Sequence, residues 1–199
     1  MRPKTLLEIA GASARPARLR DAAIVVIDAQ QEYVDGLLAL PEVAPALDEI
    51  GRLLARARAI GTPIIHIVHH GNPGGPFAPD SAGAEIASPA TPAPGEPVVG
   101  KRLPNAFGST DLADRLHALK KPEIVLVGFM THMCVEATAR AAIDNGLKAT
   151  VIASATATRD LPDPLTSQVV PAAEVQRNAL AALADRFATI VPNTAAVAD

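Results

Sequence analysis

The sequence predicts a three-layer α/β/α fold, an open, mostly parallel sheet of about five or six strands with helices on both faces. Two observations carry this. Short apolar runs of strand length, at 22–27, 63–69, 123–128, 148–153 and 187–191, alternate with segments of helical period. The runs are nearly continuous instead of alternating apolar with polar, the pattern of strands buried on both faces of a parallel sheet.

Taken in order, residues 1–20 mix Arg, Pro and Ala without a period and read as an N-terminal arm on the surface. Ala22 to Ile27 is the first strand, and it ends at Asp28, which places a carboxylate at the strand's C-terminal edge. Over 42–60, Leu47, Ile50, Leu53, Leu54, Ala57 and Ile60 recur at helical spacing, and Gly61 supplies the stop. After the strand at 63–69, residues 71–97 are rich in Gly, Pro, Ser and Ala and are too long for an ordinary connection. Strand patterns continue on both sides, so this stretch reads as an excursion and candidate lid within one domain spanning 1–199. A helix at 110–119, a strand at 123–128, a helix at 134–145 stopped by Gly146, a strand at 148–153, a helix at 172–185 and a strand at 187–191 complete the alternation.

At 199 residues the chain can bury a sizeable core. Trp is absent and there are four Phe and one Tyr, which leaves little for stacking on bases. Eighteen basic residues against twenty-one acidic give a formal net charge of −3, with no basic footprint for nucleic acid or an anionic membrane. No apolar run approaches the ~20 residues that span a bilayer. The expected partner is a small-molecule substrate. Residues 1–20 lack the apolar segment of a secretory leader, and one cysteine cannot form an intramolecular disulfide, so the expected compartment is cytoplasmic. The Ala-rich stretches 134–145 and 172–185 suit close packing against a second subunit, and a homo-oligomer, dimer or tetramer, is expected.

That one cysteine, Cys134, follows the apolar run Ile124-Val125-Leu126-Val127 through Gly128, an order that reads as strand, tight turn, helix. With Thr131 as cap, Cys134 falls in the first helical turn. There the positive helix end and nearby cations can lower a thiol pKa from ~8.5 to roughly 3.5–7.5, which predicts fast alkylation at neutral pH. The plainer reading of a lone cysteine is a small buried hydrophobe, and position alone does not choose between them. Asp28, His69 and the Cys134 turn all lie at the carboxyl ends of strands, where open α/β sheets bind ligands.

Three segments, Ile27-Asp28-Ala29-Gln30, Gly100-Lys101-Arg102 with Asn105 to Thr110, and Gly128 to Val135, resemble the motifs of the isochorismatase-like cysteine hydrolases. That family includes nicotinamidases, N-carbamoylsarcosine amidase and isochorismatases, and the likeness spans roughly residues 22–191. It implies a triad of Asp28, Lys101 and Cys134, a cis peptide between Phe129 and Met130, and a reaction that needs no cofactor. In such a triad a thiolate attacks an electrophilic carbon, a cation favours the thiolate, and a carboxylate accepts and returns protons. The backbone N–H groups of Met130 and Cys134 are the candidate oxyanion donors. Taken alone, Asp28 reads as a strand-end carboxylate and Lys101 as a surface lysine; the joint match selects the catalytic reading. The expected activity is hydrolysis of an amide-type C–N bond through a Cys134 thioester. The alternatives are isochorismatase-type vinyl-ether hydrolysis and, in another class, a non-catalytic oligomeric binding module.

His69, Asn105, Phe107 and His132 are candidate substrate-binding residues. Phe107 reads equally well as a core anchor, and His132 equally well as a surface residue. Nicotinamidase relatives hold a metal with an Asp-x-His pattern near this strand end, which the sequence lacks. His66, His69 and His70 therefore form an incomplete ligand set; no metal is expected, and His66 reads as structural. Arg159-Asp160 reads as a surface ion pair.

Overall fold

The computed structural model describes residues 2–12 and 14–199; Met1 and Ser13 of the N-terminal arm lie outside the described residues. The strands are β1 (Ala22–Ile27), β2 (Ile64–His69), β3 (Val98–Lys101), β4 (Glu123–Phe129), β5 (Lys148–Ala157), β6 (Leu161–Pro162), β7 (Val169–Val170) and β8 (Ala188–Val191). The helices are α1 (Leu6–Ile9), α2 (Glu32–Asp35), α3 (Val43–Ile60), α4 (Leu112–Ala118), α5 (Glu136–Asp144) and α6 (Ala172–Arg186). Six strands form one sheet in the order β3-β2-β1-β4-β5-β8, and every pairing in it is parallel.

The central strands are buried throughout, β1 and β4 at every residue, which is why their sequences read as unbroken apolar runs. On one face α3 presents Leu47, Ile50, Leu53, Leu54 and Ala57 to Ile24, Val26, Val125 and Val127. On the other, Leu112, Leu116, Val135, Ala139 and Leu183 cover Val25, Ile27, Ile65, Ile67 and Leu126. Each fully buried Leu, Ile or Val side chain contributes about 1.5–3 kcal/mol. The three-layer expectation is met.

Several elements differ from the sequence reading. β3 is the sheet edge, its burial alternates, and its Gly100 and Lys101 break any apolar run, so periodicity did not reveal it. The hairpin of β6 and β7 has two residues in each strand, too few to show a period. β5 continues to Ala157 beyond a register shift opposite Leu126 and Gly128. Residues Thr131–Val135 form a π-helical turn ahead of α5, and Thr131 does not cap it. The Thr131 hydroxyl instead donates to the Ala157 carbonyl, at 3.1 Å. The arm contains a helical turn capped by Thr5 and Glu8, and the Ala17 N–H ties it to Thr150 Oγ1 at 2.9 Å.

Gly128 sits at φ +112°, and a Cβ there would lie 1.9 Å from the Ile27 carbonyl oxygen. Gly128→Ala is therefore expected to lower stability by about 3 kcal/mol or more, measured by urea unfolding. His66 is buried, and its Nε2 lies 2.8 Å from Glu96 Oε2, a structural contact that ties β2 to the 71–97 stretch. Glu96 also pairs with Arg58 at 2.8 Å. Against the cost of burial, Arg58, the Ala93 N–H and His66 together hold the Glu96 carboxyl down at about 2. A folded-state pKa below the unfolded one contributes stability above the unfolded value that is lost as pH falls through the folded value. Glu96→Gln is thus expected to flatten the stability loss between about pH 4.5 and 2, followed by thermal unfolding across that window.

Candidate active site

The strand register assembles the site. Ile27 of β1 pairs with Ile67 of β2 and with Gly128 of β4, and His69 pairs with Lys101 across β2 and β3. Four strand ends therefore lie level. Asp28 leaves β1 at φ 47°, with its N–H bound to the Ile67 carbonyl at 3.0 Å. Lys101 is the last residue of β3. Cys134 lies in the π turn after β4, where the Met133 and Val135 N–H groups both donate to the Met130 carbonyl, at 3.1 and 3.2 Å. π turns occur frequently at functional sites. The Phe129-Met130 peptide is cis.

One ammonium joins these groups. Lys101 Nζ lies 2.7 Å from Asp28 Oδ2, 3.3 Å from Cys134 Sγ and 3.2 Å from His69 Nδ1. Of the three N–H donors of a lysine, two are given to sulfur and to imidazole nitrogen, and the contact with Asp28 is an ion pair. The Lys101 and Asp28 side chains are fully buried, and Cys134 is 4% exposed.

Burial dominates the electrostatics. It pushes the Cys134 thiol up to about 12; the Asp28 charge adds to the rise and Lys101 opposes it. Desolvation thus opposes the fast alkylation at neutral pH that the helix start predicts. Burial also raises the Asp28 pKa, against the lowering effect of Lys101. Apart from its contact with Lys101, the Asp28 carboxylate makes no well-formed hydrogen bond, so it retains room for a proton. Burial and the Lys101 charge bring His69 down to about 4. His69 is neutral near pH 7, with Nδ1 as acceptor from Lys101.

The isochorismatase domain model matches residues 22–195. The chain belongs to the isochorismatase family. It is 39% identical to a secreted isochorismatase effector of Verticillium dahliae over 88% of this chain and 90% of that one. It is 41% identical to a streptothricin hydrolase of Streptomyces noursei over 88% of this chain, a match spanning 63% of the hydrolase. The crystal structure of an isochorismatase from Pseudomonas putida KT2440 superposes with a TM-score of 0.94 at 39% identity, covering 98% of this chain and 100% of that one.

In this isochorismatase-family hydrolase the remaining candidates divide. His69 touches Lys101 and stands edge-on to Phe77 at 5.2 Å. Tyr33 meets Phe77 and Phe129 edge-on at 5.1 and 5.7 Å, so most of the few aromatic rings gather behind the site. His132 Nδ1 is hydrogen-bonded to the Thr158 hydroxyl, and burial lowers its pKa. Asn105 Oδ1 accepts the Phe107 N–H at 2.9 Å, which commits that oxygen to its own loop. Phe107 packs on the core face that includes Leu112 and Cys134. His66 is bound to Glu96 and His69 to Lys101; among the described residues no group of three or more His, Cys, Asp or Glu is placed to hold a metal.

The sequence reading missed the part played by Gln30. It is fully buried; its Oε1 takes the His69 N–H at 2.7 Å, and its Nε2 donates to the His69 and Ala84 carbonyls at 3.1 and 2.9 Å. Its presence in the first motif was the available signal. A cavity of about 490 Å³, lined by Arg15, Glu123, Lys148, Thr150 and Phe187 among others, opens at the opposite edge of the sheet. It is remote from Cys134 and is not the catalytic site.

Proposed function

We propose that this hydrolase cleaves an amide-type C–N bond of a small molecule through a thioester on Cys134, with Asp28 and Lys101 completing the triad. The observation that carries the reading is the single buried ammonium that spans a carboxylate at 2.7 Å and a thiol at 3.3 Å.

The resting thiol is neutral, because burial holds its pKa far above 7. Ionisation is therefore coupled to attack. The Asp28 carboxylate takes the Sγ proton while sulfur bonds to the carbonyl carbon and Lys101 stabilises the developing thiolate. The oxyanion that forms is met by the N–H groups of Met130 and Cys134. Asp28 returns its proton to the amide nitrogen as the C–N bond breaks and the amine leaves. A water then gives a proton to Asp28 and its oxygen to the thioester carbon; the C–S bond breaks, and Asp28 reprotonates Cys134. No oxidant, reductant or metal enters this balance.

The test is a panel of small amides, carbamoyl compounds and isochorismate offered to wild type and to Cys134→Ala. Amine or ammonia release that disappears in the variant supports the reading. A second reading, vinyl-ether hydrolysis, is favoured by similarity to proteins named as isochorismatases. It needs no thioester, so isochorismate turnover retained in Cys134→Ala would select it.

A cytoplasmic site of action is supported by the single free thiol; against it stands the relative named as a secreted effector. Assembly into a dimer or tetramer is supported by apolar side chains left at the surface, Ile143 of α5 at 38% exposure among them. A solution mass near the 20.5 kDa of one chain, read by light scattering, would contradict it.

A further inference from the structure

β2 ends at His69, and on one side that residue has lost its strand partner. The Asp28 N–H binds the Ile67 carbonyl at 3.0 Å, and in a parallel ladder that continued, the His69 N–H would go to the Asp28 carbonyl. The chain turns away there: Asp28 sits at φ 47°, and its carbonyl takes the Gln30 N–H at 2.8 Å. The Gln30 side chain stands in for the strand. Its Oε1 accepts the His69 N–H at 2.7 Å and its Nε2 donates to the His69 carbonyl at 3.1 Å, so one buried side chain holds both backbone polar groups of a single residue. On the other side, the His70 N–H donates to the Lys101 carbonyl at 2.9 Å.

The clamp fixes the imidazole. Its Nδ1 lies 3.2 Å from Lys101 Nζ, and the ring stands edge-on to Phe77 at 5.2 Å. An ammonium only donates, so Nδ1 accepts and the ring proton resides on Nε2. Lys101 faces two further groups of unequal pull, the Asp28 carboxylate at 2.7 Å and the Cys134 sulfur at 3.3 Å. Left between those two alone, a buried ammonium would turn to the charged oxygen, the stronger acceptor, and away from sulfur. A neutral acceptor on a third side offsets that pull. Burial and the Lys101 charge keep His69 in the neutral form, with its pKa brought down to about 4.

We propose that His69, clamped by Gln30, is the positioning residue that holds the Lys101 ammonium against Cys134 instead of leaving it to Asp28 alone. The role serves the lysine and not the substrate, and it rests on Lys101 assisting the thiol as the triad reading requires. The rate at which iodoacetamide alkylates Cys134 at one fixed pH needs no substrate and follows the thiolate character of the sulfur. It is measured on the full-length wild type, His69→Leu, His69→Asn, Gln30→Leu, the double variant of His69→Leu with Gln30→Leu, and Lys101→Met, each checked for a cooperative thermal transition.

His69→Leu is expected to slow alkylation about 3- to 10-fold, the range for one hydrogen bond. His69→Asn, whose Oδ1 occupies the place of Nδ1, should regain most of the rate. Gln30→Leu should slow alkylation while His69 is present and add little in the His69→Leu background, because the two act as a unit. The proposal is overturned if His69→Leu alkylates at the wild-type rate or faster, the behaviour of a residue that only walls the pocket. It is also overturned if His69→Asn is as slow as His69→Leu, or if Gln30→Leu slows both backgrounds equally. Unchanged alkylation in Lys101→Met would sink the triad reading and the proposal with it. Slow alkylation in Lys101→Met beside a wild-type rate in His69→Leu would sink the proposal alone.

Discussion

Cys134→Ala is expected to lower kcat on the amide substrate by about 10⁴-fold or more, with KM little changed because the thiol forms a bond instead of a binding contact. Cys134→Ser should fare no better, since a hydroxyl is a weaker nucleophile that needs more help from its base. Burial makes a second, less intuitive prediction. Because the thiol pKa stands near 12, iodoacetamide should alkylate the folded enzyme slowly at pH 7 and about tenfold faster for each added pH unit. Asp28 raises the thiol pKa by its charge. Asp28→Asn should therefore alkylate faster than wild type at the same pH while losing turnover. A spectator carboxylate would leave turnover intact.

Lys101→Met is expected to remove both activity and about 3–5 kcal/mol of stability, the cost of leaving one partner of a buried ion pair without the other. The Lys101 and Asp28 side chains are both fully buried and 2.7 Å apart, so the orphaned carboxylate has no water to turn to. The double variant Asp28→Asn with Lys101→Met removes both charges and should recover most of the lost stability in urea unfolding, yet stay inactive. Recovery of stability without activity separates the pair's structural role from its chemical one. Equal stability of the single and double variants would show that the pair is not energetically coupled.

The sheet was legible because its interior strands are buried on both faces and write that burial as unbroken apolar runs. Its edge was not: β3 carries Gly100 and Lys101 and half its side chains face outward, so nothing periodic marks it, although it delivers Lys101. Motif likeness located Asp28, Lys101 and Cys134 in the sequence, and parallel register explains why they meet. The burial of the thiol was not legible, because sequence shows the helix start and the cation but not the desolvation that opposes them. Gln30 was quoted with its motif but given no role, since its partners are the backbone of His69 and Ala84, distant in the chain. Arg159 was paired with its sequence neighbour Asp160, whose carboxylate instead takes the N–H of Ala172.

The central claim is that the reaction passes through a covalent bond to Cys134, and the most direct measurement is mass spectrometry of enzyme quenched with acid during turnover of a slow amide. The account predicts an added mass equal to the substrate's acyl group, located on the peptide that carries Cys134 and absent in Asp28→Asn and Cys134→Ala. Steady turnover with Cys134 unmodified at every time point, and persisting in Cys134→Ala, would contradict it.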